Sequence, residues 1–243
     1  MGSLLNRIYE KYSAKDFILL AKKLDTIEWI VEAGIHDGTD TEILLKTFDV
    51  NHYFAFEPDP AAFAFADAKL SEERSKHNLM LLPIALSDRK HIIKMVSPKG
   101  FGLGISQITN DPHSQGVLIQ SDLLDNYLAS MNNNGLLWLD VEGHSISALN
   151  GSIRNLNKFV ICKIEAQTHT IDSRKEQDAF RVHKLMRKNF LLIRAPLYPG
   201  YFGDLVYLRK DQASMVPWIS SKALTVVFYA LHRIIYPLLK KPK

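Results

Sequence analysis

The sequence predicts an α/β domain: a mostly parallel β-sheet covered by helices, with its last strand antiparallel. Three observations carry this expectation. From Ile27 onward, short apolar and β-branched runs alternate with helix-like segments, the pattern of parallel strands joined by crossovers. The last two runs are joined by a stretch rich in Pro, Gly and Tyr that is too short for a crossover helix, so they should pair antiparallel. The chain has 243 residues, 47% hydrophobic and 23% charged, enough to bury one generous core and leave appendages over.

The elements follow in order. Leu4 to Leu24 reads as one or two amphipathic helices, with Ser13 as an internal cap. Ile27 to Ala33 is a strand that breaks at Glu32, Gly34 and Gly38, and "DGTDTEILLKTF" (Asp37 to Phe48) is a helix. "HYFAFEPDP" (His52 to Pro60) is a second strand ended by prolines, followed by an alanine-rich helix to Leu70. "LMLLPIALSD" (Leu79 to Asp88) reads as a third strand. "HIIKMVSP" and "GISQIT" are short strands around a glycine loop, and Ser121 to Met131 reads as a helix. "GLLWLDVEG" is the fourth strand, His144 to Leu149 a helix and "KFVICKIEA" the fifth strand. A helix from Lys175 to Lys188 leads into "FLLIRA" and "DLVYLRK".

Composition excludes some functions. A single cysteine, Cys162, rules out an internal disulfide framework and a cysteine-based zinc site; inside an apolar strand it reads as a small hydrophobe. No charged-then-apolar signal segment opens the chain, so the expected compartment is cytoplasmic. "MGS" has Asn6 where myristoylation needs Ser or Thr. The net charge of +4 belongs to the tail: Lys222, Arg233, Lys240, Lys241 and Lys243 face no acid between Ala213 and Lys243, which leaves −1 for the rest. A groove that tracks nucleic-acid phosphates is not expected from such a body.

Ligands of open α/β sheets sit outside the carboxyl ends of the strands, where this chain gathers Glu32, Glu57, Asp88, Asp140, Glu142 and Glu165. The turn after the first strand suits a tight structural turn, a dinucleotide or another nucleotide-like cofactor. A dinucleotide fingerprint needs G-x-G-x-x-G, whereas the spacing here is Gly34-x-x-x-Gly38, with His36 at the second glycine's place. An acid at Glu32 repels a pyrophosphate and suits an ammonium group. Glu57 closes the second strand about twenty positions on, where an acid can accept both ribose hydroxyls. A nucleoside with a cationic amino-acid tail and no phosphate is S-adenosylmethionine, which the pattern favours over a dinucleotide.

"VEAGIHDGTDT", "FAFEPDP", "NLMLLPIALSD", "DLLDNYL", "LLWLDVEGHSISALNG" and "VICKIEAQ", in that order, resemble the FkbM-type S-adenosylmethionine-dependent methyltransferases from Ile27 to Arg209. The resemblance implies a Rossmann-like class I methyltransferase fold: a seven-stranded, mostly parallel sheet with an antiparallel last strand. With the helix-like segment before this stretch and the basic one after it, the chain is expected to divide into an N-terminal helical extension (1–25), a methyltransferase domain (26–212) and a basic helical tail (213–243). By position it places Glu32, Gly34, His36, Asp37 and Gly38 around the cofactor's methionine part, and Glu57 and Pro58 at the ribose. Ser87 and Asp88 fall near the adenine, and Asp140 near the reacting methyl. The chain departs from the pattern at Glu32 (usually Asp), His36 (commonly Asn), Trp138 (often Lys) and Ser145 (often Glu).

Methyl transfer to a hydroxyl needs close alignment of donor and acceptor and a group to take the proton. Asp140 is the first candidate, with Glu142 and His144 behind it; Glu165 stands at the same sheet edge. Asp140 and Glu142 show no clear third ligand, so no metal is expected. The expected acceptor is a sugar, glycan precursor or secondary metabolite carrying a hydroxyl. A nitrogen or carboxylate acceptor, and a non-catalytic module that keeps the fold, are the alternatives. "KGFGLGIS" (Lys99 to Ser106) reads as a flap or a hairpin turn, His169 as a surface-loop residue, and Asn132 to Asn134 as a turn. The tail, broken by His232, Arg233 and Pro237, is not expected to span a membrane. It reads either as a helix lying on the inner face of an anionic membrane or as one packed on the core or on a second copy in a homodimer.

Overall fold

Strands whose side chains alternate between two faces need cover on both, and this chain supplies helices for each. The computed structural model describes residues 14–24, 26–96, 107–109, 113–167, 179–195 and 202–215. Among them, the strands are β1 (Trp29–Ala33), β2 (His52–Phe56), β3 (Leu79–Leu82), β4 (Ala85–Leu86), β5 (His91–Val96), β6 (Gln107–Thr109), β7 (Val117–Asp122), β8 (Gly135–Leu139), β9 (Phe159–Gln167), β10 (Phe190–Arg194) and β11 (Phe202–Arg209). The α-helices are α1 (Ala14–Lys22), α2 (Thr39–Thr47), α3 (Pro60–Lys69), α4 (Ser71–Lys76), α5 (Ser145–Asn150) and α6 (Ala179–Met186).

A seven-stranded sheet runs in the order β10-β11-β9-β8-β1-β2-β3. Every neighbouring pair is parallel except those of β11, which is antiparallel to both β9 and β10. Trp29, Val31 and Ala33 of β1 face a core that includes Ile146 and Leu149 of α5 and Val182 and Met186 of α6. Ile30 faces the other core, with Phe17 of α1, Leu44 of α2 and Ala66 of α3. Each large side chain buried this way contributes about 1.5–3 kcal/mol. The described part of the expected N-terminal extension therefore joins the core: Phe17 meets Trp138 edge-on at 5.5 Å.

Strand order reverses at β1, with β2 and β3 on one side and β8 and β9 on the other. Such a reversal opens a crevice beyond the carboxyl ends of the strands. Backbone bonds pin its rim. Gly34 N–H donates to Phe56 O and Asp140 N–H to Ala33 O, both at 2.9 Å, and Glu57 N–H donates to Leu82 O at 3.0 Å.

Three stretches differ from expectation. The third strand divides at Pro83, whose missing N–H ends the pairing of β3, and β4 joins a second sheet of order β4-β7-β5-β6. Residues 117–122 form β7, although the sequence offered no element before Ser121. The helix expected over Ser121 to Met131 is replaced by the end of β7 and a 3₁₀ turn, Leu124–Asn126. There Ser121 Oγ lies 3.0 Å from the carbonyl oxygens of both Arg89 and His91 and can donate its one proton to either. Asp125 accepts from the backbone and side chains of both Arg154 and Asn155, so its carboxylate serves a tertiary contact rather than a helix. Residues 1–13, "KGFGLGIS", His169, the start of the Lys175 to Lys188 segment and the tail from 216 lie outside the described residues.

Candidate active site

The turn after β1 is built by backbone geometry. Gly34 has φ +80°, and a Cβ there would lie 1.6 Å from the carbonyl oxygen of Asp140. Only glycine allows the ends of β1 and β8 to come so close. His36 also lies in the left-handed region, at φ 53°, and its N–H donates to Glu57 Oε2 at 2.9 Å. Gly38, at φ 73°, opens α2. The Asp37 carboxylate accepts from the backbone and hydroxyl of Thr39, and those bonds help hold it below the usual carboxylate range.

Glu57 is buried and ties two segments together, taking the His36 N–H on one oxygen and the Asp59 N–H, also at 2.9 Å, on the other. Burial raises its pKa, and these two bonds oppose the rise. Glu32, expected beside the cofactor's ammonium, is 1% exposed. Its Oε2 accepts the Thr41 hydroxyl at 2.7 Å and the Tyr53 phenol. Burial pushes its pKa up to about 7. Its carboxylate thus joins β1, α2 and β2 beneath the crevice.

After β8 the chain turns through Glu142, at φ 41°, and Gly143, at φ 94°, and this strained elbow presents Asp140 and Glu142 at the rim. Glu165, near the end of β9, lies beside Asp140, and burial followed by the Asp140 charge pushes its pKa up to about 9. The carboxylate oxygens of Asp140, Glu142 and Glu165 lie within 4.8 Å of one another. The third acid that the sequence left unpaired with Asp140 and Glu142 thus arrives from the neighbouring strand. Ser145 Oγ donates to the Glu165 carbonyl at 3.1 Å, fixing α5 to this strand end. His144 turns away from the acids: its Nε2 lies 3.2 Å from Ser87 Oγ, and burial drives its pKa down to about 4. Such an imidazole is neutral near pH 7 and a weak base there.

A cavity of about 370 Å³ occupies the crevice, a volume suited to a small ligand. Gly34, His36, Asp37, Glu57, Pro58, Asp140, Glu142 and His144 line it. Glu32, Gly38, Ser87 and Asp88 do not, although Ser87 reaches it through His144. Sequence reasoning missed Thr39 and Asp40, and an apolar wall of Phe56, Ile84, Leu86, Met95 and Ile108. Met95 and Ile108 come from β5 and β6 of the second sheet, whose three- to six-residue strands carry no signal of where they fold.

The Methyltransferase FkbM domain matches residues 32–192, and the chain belongs to that family of methyltransferases, whose members bind S-adenosylmethionine. Its sheet has the class I methyltransferase arrangement. The crystal structure of the methyltransferase FkbM from Methylobacillus flagellatus KT superposes with a TM-score of 0.52 at 15% identity, over 75% of this chain and 44% of that one. This chain therefore spans less than half of that relative. An rRNA methylase from Streptococcus thermophilus aligns at 17% identity over 79% of this chain and 90% of that one, with a TM-score of 0.46. TrmK from M. capricolum, in complex with S-adenosylhomocysteine, aligns at 10% identity over 79% and 67%, with a TM-score of 0.44. These likenesses extend to the fold alone. No curated protein matches the sequence. Among the described residues, no helix is long and apolar enough to cross a membrane.

Proposed function

We propose that the chain binds S-adenosylmethionine in this cavity and transfers its methyl group to a hydroxyl of a sugar, glycan precursor or secondary metabolite. The observation that carries the reading is the convergence of the Gly34 turn, Glu57 and Asp140 on one cavity where strand order reverses. The residues fit the group. Glu57 offers a carboxylate to the ribose hydroxyls, and charge-assisted bonds of that kind are worth roughly 1.5–3 kcal/mol each. His36 brings a ring nitrogen, Nε2, that is buried and has no hydrogen-bond partner among the described residues, and His36 lines the cavity. The apolar wall of Leu86, Met95 and Ile108 suits a nucleobase face. When bound, the cofactor supplies a methyl activated by a sulfonium. Asp140 receives the proton of the acceptor hydroxyl, and the narrow approach at Gly34 keeps its backbone fixed. Glu142 extends the anionic rim, and His144 stands on the Ser87–Asp88 side as a neutral hydrogen-bonding group.

The near-neutral body supports a small-molecule or glycan acceptor over a nucleic acid. Division into the domain (26–212) with terminal appendages, contact of the tail with the inner membrane face or with a second copy, and a cytoplasmic setting belong to the same proposal.

Thermal unfolding with S-adenosylmethionine or S-adenosylhomocysteine tests the cofactor assignment. At about a hundredfold excess over Kd, each should stabilise by about 2.7 kcal/mol, a rise in Tm of roughly 5–10 °C. Glu57→Ala should remove that rise. No rise with either ligand at about 1 mM overturns the reading, and an unchanged rise in Glu57→Ala overturns the ribose assignment. Methyl transfer itself is read by screening hydroxylated acceptors with labelled cofactor.

A further inference from the structure

The geometry points to His144 as a specificity-determining residue of the cofactor site: its Nδ1 accepts a hydrogen bond from the 6-amino group of the adenine, and Ser87 holds the ring in place to do so. The inference rests on the cofactor reading and names the part of the cofactor that this end of the cavity distinguishes.

Ser87 is a fixed anchor. It is 1% exposed, and its N–H donates to Asp122 O of β7 at 2.9 Å. Its carbonyl packs against the end of α5, where a Cβ on Gly151 would lie 1.9 Å from the oxygen. His144, just before α5, is held as firmly. Its N–H donates to Val141 O and its carbonyl accepts from Ala148 N–H, both at 3.0 Å. The side chains meet with His144 Nε2 3.2 Å from Ser87 Oγ, and Ser87 Oγ lies 3.3 Å from Asp88 Oδ1.

A hydroxyl has one proton, so these two contacts select the tautomer of the ring. A carboxylate is a stronger acceptor than a neutral imidazole nitrogen, so Ser87 donates to Asp88. Ser87 Oγ then accepts from His144, which places the ring proton on Nε2. A neutral imidazole protonated there has a bare lone pair on Nδ1 and can only accept at that atom. His144 lines the cavity together with Leu86, Met95 and Ile108, the apolar wall suited to a nucleobase face. The rim of a ribose-linked adenine carries three ring-nitrogen acceptors and one donor, the 6-amino group. An accepting Nδ1 therefore matches that group and opposes a 6-oxo purine, whose oxygen sets a lone pair against a lone pair.

The test is read on wild type with ¹⁵N-labelled histidine rings, the His144 signals being assigned by their loss in His144→Gln. At pH 7.5, where imidazoles are ordinarily neutral, the ring proton should reside on Nε2. Saturation with S-adenosylhomocysteine should keep that tautomer and shift the Nδ1 resonance as it accepts a hydrogen bond. The deaminated analogue S-inosylhomocysteine should not shift Nδ1 in this way. It should bind about tenfold more weakly or worse, the scale of one buried acceptor left unanswered. His144→Phe should reduce that discrimination to about threefold or less, and Ser87→Ala, which unmoors the ring, should reduce it in part. The wild-type spectra carry the test where a variant fails to fold. A ring proton on Nδ1, an Nδ1 resonance unmoved by saturating S-adenosylhomocysteine, or an equal shift with both ligands overturns the inference and leaves the cofactor reading intact. Discrimination unchanged in either folded variant does the same. Failure of S-adenosylhomocysteine to bind wild type overturns the cofactor reading and this inference with it.

Discussion

His36 stands where the resemblance leads one to expect Asn, and its backbone conformation suits either residue. At φ 53° it lies in the left-handed region that Asn, Asp and His enter more readily than other non-glycine residues. The substitution is thus conservative in the property that matters to the turn. His36→Asn should leave stability within about 0.5 kcal/mol of wild type, whereas His36→Val, β-branched at positive φ, should lose about 1–3 kcal/mol. Urea midpoints separate the two, and equal loss in both variants refutes the backbone explanation. Gly34 is more demanding. Gly34→Ala sets a methyl against the Asp140 carbonyl and should cost about 3 kcal/mol or more; a near-wild-type midpoint contradicts the geometry. At this scale the sequence displayed residue types but not their directions. Glu57 and Asp140 were legible because each ends a strand. The inward turn of Glu32 was not, because its partners Thr41 and Tyr53 lie nine and twenty-one residues away.

Elements were legible where periodicity and capping agreed. "FEPDP" ends β2 and starts α3 in one stroke: Asp59 accepts from Ala61 N–H at 2.8 Å and Ala62 N–H at 3.2 Å, and Pro60 occupies the first turn. Asp59→Ala should therefore cost about 1 kcal/mol, read as a lower urea midpoint with unchanged slope. Elements were illegible where a long-range partner decided the outcome. Residues 121–131 have helix-like spacing, yet Asp125 is buried and gathers four donors from Arg154 and Asn155. Asp125→Ala leaves the Arg154 and Asn155 backbone N–H groups and the Asn155 amide unanswered, while the exposed Arg154 guanidinium turns to water, and should destabilise by about 1–3 kcal/mol. A loss under about 1 kcal/mol shows that the residue caps nothing that matters. Pro83 was in plain view as a strand breaker, but nothing local announced that the chain beyond it changes sheets.

Across the whole molecule, the carboxyl ends of β1, β8 and β9 and the amino end of the antiparallel β11 place Glu32, Asp140, Glu165 and Asp204 at one end of the sheet, with Lys163 among them. Burying so many titratable groups makes stability depend on pH, and the sign differs between groups. Glu32 and Glu165 have folded pKa values of about 7 and about 9, above the unfolded value of 4.5. The native state then holds protons that the unfolded chain has released, so their contribution is full below pH 4.5 and declines as pH rises through each window. His144 acts in the opposite sense. Its folded value of about 4 lies below the unfolded 6.5, so stability is lost as pH falls across that interval. Glu32 titrates around pH 7 in wild type and in Glu165→Gln alike, so its contribution cancels between the two. Wild type should therefore lose stability relative to Glu165→Gln between pH 7 and 9, at up to about 1 kcal/mol per pH unit. Parallel urea titrations at pH 7, 8 and 9 measure the difference. A constant gap between the two proteins means that Glu165 is already ionised at neutral pH, and burial then does not hold its proton.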